Sequence, residues 1–348
     1  MQKLVYSIAG FCLLVFLSSC GSDDDYQPIN ATVAFEVPSN FPPLEYQNAD
    51  NPLTEKGIEL GRKLFYDGRL ASDGLVACAF CHEQQFAFTH HGHNLSHGVN
   101  DQVGVRNTPA LQNLAFQTSF FFDGAAENLE AVSIVPIHNP VEMNETLPSI
   151  VAKLQSDAAY RTLFAQAFAD QKVSSTNMLK ALAQFMTIMV SANSPYDKYV
   201  RNEGYQLSSL ELYGINIFMQ KCTSCHATDL FTDHSFRNNG LPVNPNLNDL
   251  GRSLVTGSAA DDFKFKVPSL RNVGVTAPYM HDGRFGSLAS VLNFYSHGVQ
   301  DSPTLDPILR GNGNNGIPLT EDEKTALIAF LHTLTDTAFL TNPVLSNQ

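Results

Sequence analysis

Cys78-Ala79-Phe80-Cys81-His82 and Cys222-Thr223-Ser224-Cys225-His226 are two copies of one pattern, Cys-x-x-Cys-His, set in the two halves of a 348-residue chain. Two thiols three positions apart lie on one helical face and can add to the two vinyl groups of a haem. The adjoining histidine then reaches the iron as proximal ligand. A zinc site or a thioredoxin-like redox pair also uses Cys-x-x-Cys, but neither gives a reason for a histidine directly afterwards in both copies. The pattern predicts two covalently bound haem c groups, one on Cys78, Cys81 and His82 and one on Cys222, Cys225 and His226.

The chain has six cysteines, and the two outside these runs, Cys12 and Cys20, fall in its first twenty residues. No thiol is left for a structural disulfide, so covalent haems take the part that disulfides play in many exported proteins. The first residues have the form of an export leader: Lys3, then an apolar stretch around Ile8 to Leu17 that is short for a membrane span. Leu17-Ser18-Ser19-Cys20 resembles a bacterial lipobox, which predicts a signal peptide over 1–19 and a lipid anchor on Cys20; a plain secretory signal is the alternative. Gly21-Ser22-Asp23-Asp24-Asp25 and the Pro-containing stretch after it read as a flexible tether over 20–52. The expected location is an exported lipoprotein, periplasm-facing or on the cell surface.

A hydrophobic content of 43% over this length supplies apolar material for two modest domains. The formal net charge of −13, one unit more negative once Lys3 leaves with the leader, argues against a nucleic-acid partner and is compatible with a basic redox partner.

The chain also repeats itself. Gly61-Arg62-Lys63-Leu64-Phe65 precedes the first haem run and Gly214-Ile215-Asn216-Ile217-Phe218 the second. Pro109-Ala110-Leu111-Gln112-Asn113, Asp123-Gly124 and Leu129 are answered, at equal spacing, by Pro268-Ser269-Leu270-Arg271-Asn272, Asp282-Gly283 and Leu288. Ala181 to Phe185 is answered by Ala326 to Phe330, each inside an apolar stretch with helical spacing. Two haem domains of one design in tandem are expected, over 53–200 and 201–340. Helices are predicted near 54–66, 128–134, 147–153, 157–169, 176–192, 208–219, 287–295 and 320–334, with Ser208 and Thr320 as N-caps. Gly-, Asn- and Pro-rich connections join them with little strand pattern, so the fold class is mainly α: two tandem cytochrome c-like units related by internal duplication.

These residues resemble the bacterial di-haem cytochrome c peroxidases and the related MauG-type di-haem enzymes, from about Pro52 to Leu334. The resemblance rests on Gly61 to Phe65, both haem runs, Arg106-Asn107-Thr108-Pro109, Phe122-Asp123-Gly124, Pro140-Val141-Glu142-Met143-Asn144, and Thr276-Ala277-Pro278-Tyr279-Met280-His281-Asp282-Gly283. It implies that the first haem reduces hydrogen peroxide and that the second collects electrons from a small cytochrome c or other donor. Glu142 matches the family's distal glutamate, an acid–base group that can move a proton between the two peroxide oxygens. Val132 stands where the family commonly has a Gln, which places more of that burden on Glu142. Four histidines, His90, His91, His93 and His97, crowd the segment after the first haem run; His97-Gly98 best matches the His-Gly that caps the resting iron and leaves on reduction of the partner haem.

At the second haem the classical axial Met is replaced. Fourteen positions beyond His281 stands Tyr295, an arrangement similar to MauG-type enzymes; Met280, His297 or an open position are the alternatives. Asn107, Thr276 and Pro278 match positions that hold a calcium ion in the family, through one side-chain oxygen and two carbonyls. The chain has no Trp, and Phe122 takes the place of the aromatic between the haems. The expected function is a di-haem peroxidase reducing hydrogen peroxide to water. A MauG-type oxidation of a protein residue and a non-catalytic electron-transfer lipoprotein are the alternatives, and a homodimer is one option for its assembly.

Overall fold

In a computed structural model, residues 30–46, 49–311 and 313–347 are described. The leader, Cys20 and the start of the tether lie outside the described residues. The helices are α1 (Glu55–Phe65), α2 (Cys78–Cys81), α3 (Leu129–Val132), α4 (Ile134–His138), α5 (Leu147–Ser156), α6 (Ala158–Ala167), α7 (Ser175–Thr187), α8 (Pro195–Val200), α9 (Ser209–Lys221), α10 (Ser253–Thr256), α11 (Leu288–His297), α12 (Glu321–His332) and α13 (Thr337–Leu340). The strands β1 (Phe236–Arg237) and β2 (Phe265–Lys266) pair antiparallel, with Phe236 opposite Lys266. The protein is mainly helical, as the sequence predicts.

Local chemistry sets the helix ends. Ser208 and Thr320 each accept from the backbone N–H three residues on, while Glu211 and Glu323 accept from the cap residue's own N–H. The helix expected over 128–134 is instead split at Ser133 into α3 and α4. Pro136 has no N–H to give to the turn before it, so a continuous ladder across this stretch is interrupted. The helix expected to reach residue 192 stops at Thr187. Asn113 captures the chain beyond it, donating its backbone N–H to the Met189 carbonyl and its side-chain amide to the Ser191 carbonyl.

Two helix pairs carry two separate cores. α1 crosses α7 at Gly61, where a Cβ would stand 2.0 Å from the Ala181 carbonyl oxygen; α9 crosses α12 at Gly214, where it would stand 2.1 Å from that of Ala326. Only glycine permits either approach. Around the first crossing Leu60, Leu64, Phe65, Leu129, Phe164 and Phe185 are buried together, and around the second Ile217, Phe218, Leu288, Phe330 and Leu331.

The expected boundaries shift at three places. From residue 30 the tether is not free: Phe35, Phe41 and Leu44 pack with Phe116 and Leu230, because the arm carries aromatic and aliphatic anchors among its prolines. α8, placed by the sequence in the first unit, sets Tyr196 on Phe231 and Phe330 of the second core. Conversely, the tail leaves the second core after Leu334 and buries Phe339 and Leu345 in the first. There Phe339 lies 5.7 Å from the Phe88 ring, and Tyr66 Oη donates to the Leu345 carbonyl.

Arg271 and Asp197 join these crossings in a fully buried fork, with both N–O distances 2.8 Å. The guanidinium lies 4.4 Å from the Phe41 ring, and Asn40 donates to the same carboxylate. Burial pushes the Asp197 carboxyl up, but the Arg271 hydrogen bonds outweigh it and hold it below the usual carboxylate range. A depressed carboxylate contributes stability that is present above its unfolded pKa and lost as pH falls through the folded one. Asp197→Ala, which strands the arginine, is expected to cost about 3–5 kcal/mol in denaturant unfolding of the haem-loaded protein.

Candidate functional site

The two halves enclose one cavity of about 1010 Å³ with mainly apolar walls. Its size lies at the upper end for a cofactor site, roughly 300–1,000 Å³. Cys78, Cys81, His82, Cys222, Cys225 and His226 all line it. Cys78 and Cys81 are the first and last residues of α2, which turns both thiols to one side. In the second copy α9 ends at Lys221, and the turn that follows is closed by Cys222, whose carbonyl accepts from the Cys225 N–H (3.2 Å) and the His226 N–H (2.9 Å).

Each histidine is oriented the same way. His82 Nδ1 lies 2.7 Å from the Phe88 carbonyl and His226 Nδ1 2.9 Å from that of Phe231, so Nδ1 carries the proton and Nε2 is left with a lone pair. Burial pushes the His82 imidazole down to about 4 and His226 down as well, which keeps both neutral and able to ligate. Burial also pushes the Cys78, Cys81 and Cys222 thiols up to about 12 and raises Cys225. A thioredoxin-like pair needs a lowered thiol pKa. Among the described residues no group of three or more His, Cys, Asp and Glu is placed to hold a metal ion. Two neutral thiols, one oriented imidazole and an apolar wall in each half fit a haem c.

Glu142 follows α4 and also lines the cavity. Its carbonyl accepts from the Val99 N–H at 2.7 Å, and a Cβ on Gly98 would stand 2.3 Å from that same oxygen. The His97-Gly98 segment and Glu142 are therefore held against each other, and Cys81 Sγ donates to the His97 carbonyl at 3.1 Å. Burial pushes the Glu142 carboxyl up, and a hydrogen bond from Asn139 opposes this only in part. Of the four clustered histidines, His97 alone lines the cavity. His90 is buried behind it and stacks on exposed His93 at 4.2 Å, whereas His91 stacks on Phe86. Val132 lines the same cavity.

At the other end Tyr295, on α11, and Met280 both face the cavity. One side chain that the sequence reading missed holds them: Asn239 Nδ2 lies 3.4 Å from Tyr295 Oη and 3.6 Å from Met280 Sδ. His297 is exposed and is not among the residues that line it. Burial raises the Tyr295 phenol, and the Asn239 hydrogen bond opposes that. Asn107, Thr276 and Pro278 line the cavity between the halves. The Asn107 amide group donates to the carbonyls of His93 and Asn94, and its backbone N–H to that of His281.

Beside them Arg106 bridges the units, forked to Asp249 (2.5 and 2.8 Å) and bonded to Asp123 (2.5 Å). Its two carboxylate partners lie far apart in sequence, so no local spacing pointed to the bridge.

Residues 55–205 match the family model described as di-haem cytochrome c peroxidase. The methylamine utilization protein MauG of Methylorubrum extorquens is 36% identical over 295 residues, which cover 82% of this chain and 79% of that protein. The chain belongs to the di-haem cytochrome c peroxidase and MauG family. The cytochrome c551 peroxidase of Pseudomonas aeruginosa is 30% identical, over 96% of this chain and 93% of that one. A solved MauG-like protein associated with microbial copper homeostasis superposes with a TM-score of 0.81 at 31% identity, covering 90% of this chain and 99% of its own. Membership of this di-haem family implies two c-type haems. Cys78→Ser or Cys222→Ser is expected to lower the pyridine haemochrome count from two haems per chain to one.

Proposed function

We propose that this chain is an exported di-haem peroxidase that reduces hydrogen peroxide to water with electrons from a small cytochrome c or other donor. The carrying observation is the placement of Glu142, a partly buried carboxyl group of raised pKa, on the same cavity wall as His97 and the first Cys-x-x-Cys-His run. A haem bound at His82 supplies an iron to which peroxide can bind. Glu142 takes the proton from the nearer peroxide oxygen and returns it to the departing one, and Asn139 orients its carboxylate. His97, on the same wall, would cap the site at rest and move away to open it. Its neighbour Gly98 packs against the backbone of Glu142, so that movement and the acid–base group are mechanically linked.

In this reading the two units arose by duplication, and His226 would hold the second haem, which would supply the site of electron entry. The Gly61 and Gly214 crossings, the paired histidine–carbonyl bonds and the matching left-handed residues Asn113 and Asn272 support the duplication. Asn107 through its free side-chain oxygen, with Thr276 and Pro278 through their carbonyls, binds a calcium ion. Cys20 carries the lipid that holds the protein to a membrane, facing the periplasm or the cell surface, and a homodimer is the proposed assembly.

A second reading, oxidation of a protein residue at a distance, is favoured by Tyr295 and its Asn239 partner. A phenolate ligand stabilises ferric iron, and a donor hydrogen bond favours the phenolate form. The relatives compared above carry both names, MauG and peroxidase.

Two measurements separate these readings. Glu142→Gln is expected to lower steady-state peroxide turnover by about 10²–10⁴-fold while both haem spectra stay as in the wild type; unchanged turnover removes Glu142 from the mechanism. Tyr295→Met is expected to raise the potential of the second haem in a redox titration, since a neutral thioether replaces an anionic oxygen. If Tyr295→Phe leaves that haem's spectrum and potential unaltered, Tyr295 is packing only.

A further inference from the structure

Five cationic side chains line the cavity: Arg106, Lys221, Arg237, Lys266 and Arg271. Four are neutralised by carboxylates within 2.9 Å. Arg106 meets Asp123 and Asp249, Lys221 meets Glu323, Arg237 meets Asp233 and Asp306, and Arg271 meets Asp197. Lys266 differs. Its ammonium donates only to neutral acceptors, Gln117 Oε1 at 2.6 Å and the Ser119 carbonyl at 2.5 Å, and it forms no ion pair among the described residues.

An ammonium has three donors, and two of them are used here. Even a partly buried cation without an anionic partner bears a desolvation cost. Burial drives this one down to about 7, with only a partial offset from the more distant Asp123. The placement is also fixed from the backbone. Lys266 lies on β2 of the second unit, yet its N–H donates to the Phe122 carbonyl of the first at 2.6 Å. The unpaired charge therefore sits at the boundary of the units, on the wall of a cavity that both Cys-x-x-Cys-His runs share.

The geometry points to Lys266 as the counter-charge of a haem propionate at the boundary between the two units. This rests on the di-haem reading above. Each haem brings carboxylates into the cavity, and the other four cations already hold carboxylates of the chain itself. Lys266 is a positioning residue in this assignment: it fixes an edge of the cofactor and the electrostatic potential at its iron, and it touches no reacting atom.

The test compares Lys266→Met, Lys266→Arg and wild type, each as the haem-loaded full chain, by haem counting, spectroelectrochemical titration and resonance Raman of the propionate bending modes. With the cation gone, the ferric form of at least one haem is expected to gain by about tenfold in its reduction equilibrium, the size of one unit charge at roughly 10 Å in a protein-like dielectric. A propionate mode is expected to shift in the same variant, and Lys266→Arg is expected to keep both near wild type. Two haems per chain with unchanged equilibria and unchanged propionate modes in Lys266→Met overturn the assignment. Fewer than two haems in the wild type overturn instead the di-haem reading beneath it. If Lys266→Met does not accumulate folded, wild type in D₂O decides. A hydrogen-bonded propionate is expected to shift its mode on deuteration, and absence of any shift overturns the proposal.

Discussion

The orientation of His82 and of His226 depends on a helix crossing that only glycine allows. Gly61 lets α1 settle onto the Ala181 carbonyl, which sets Phe65 against Phe185 and, at 5.9 Å, against Phe88. Phe88 offers its carbonyl to His82. In the second half Gly214, Phe218, Phe330 and Phe231 make the same succession, ending on His226. A change of a few tenths of an ångström at the crossing is thus transmitted through edge-to-face and tilted rings to the bond that decides which imidazole nitrogen is free.

How the sequence encodes this differs from part to part. The Cys-x-x-Cys-His runs and the Gly-to-Phe interval are local patterns, so the two runs that line the cavity, the long helices and the caps at Ser208 and Thr320 were legible. Glu142, His97 and Tyr295 came from resemblance to a family, and the chain places each on the cavity wall. What escaped reading was set by partners distant in sequence. Asn113 ends α7 early, Asn239 reaches Tyr295 across 56 positions, and Arg106 and Asp249 are 143 apart. The short helix α8 was a different omission, since Ser194-Pro195 with Asp197 is a capping box that local reading could have found.

The boundary between the units is polar where the cores are apolar. Arg106 with its two carboxylates and the Arg271–Asp197 fork hold geometry across it, and each is hydrogen-bonded well enough to offset part of its desolvation. Such forks fix register more sharply than apolar contact does, because their partners must meet in one plane. Phe122 lies in this boundary with its carbonyl bonded to β2.

The tail that buries Phe339 against Phe88 has a consequence for the order of assembly. Phe88 carries the carbonyl that orients His82, so a segment far along the chain braces the first Cys-x-x-Cys-His run. The amino-terminal unit cannot reach its final packing before residues 339–345 are in place. Until those residues dock, the ring that carries the His82 acceptor lacks its outer support, and the first half of the cavity wall stays looser than in the finished protein.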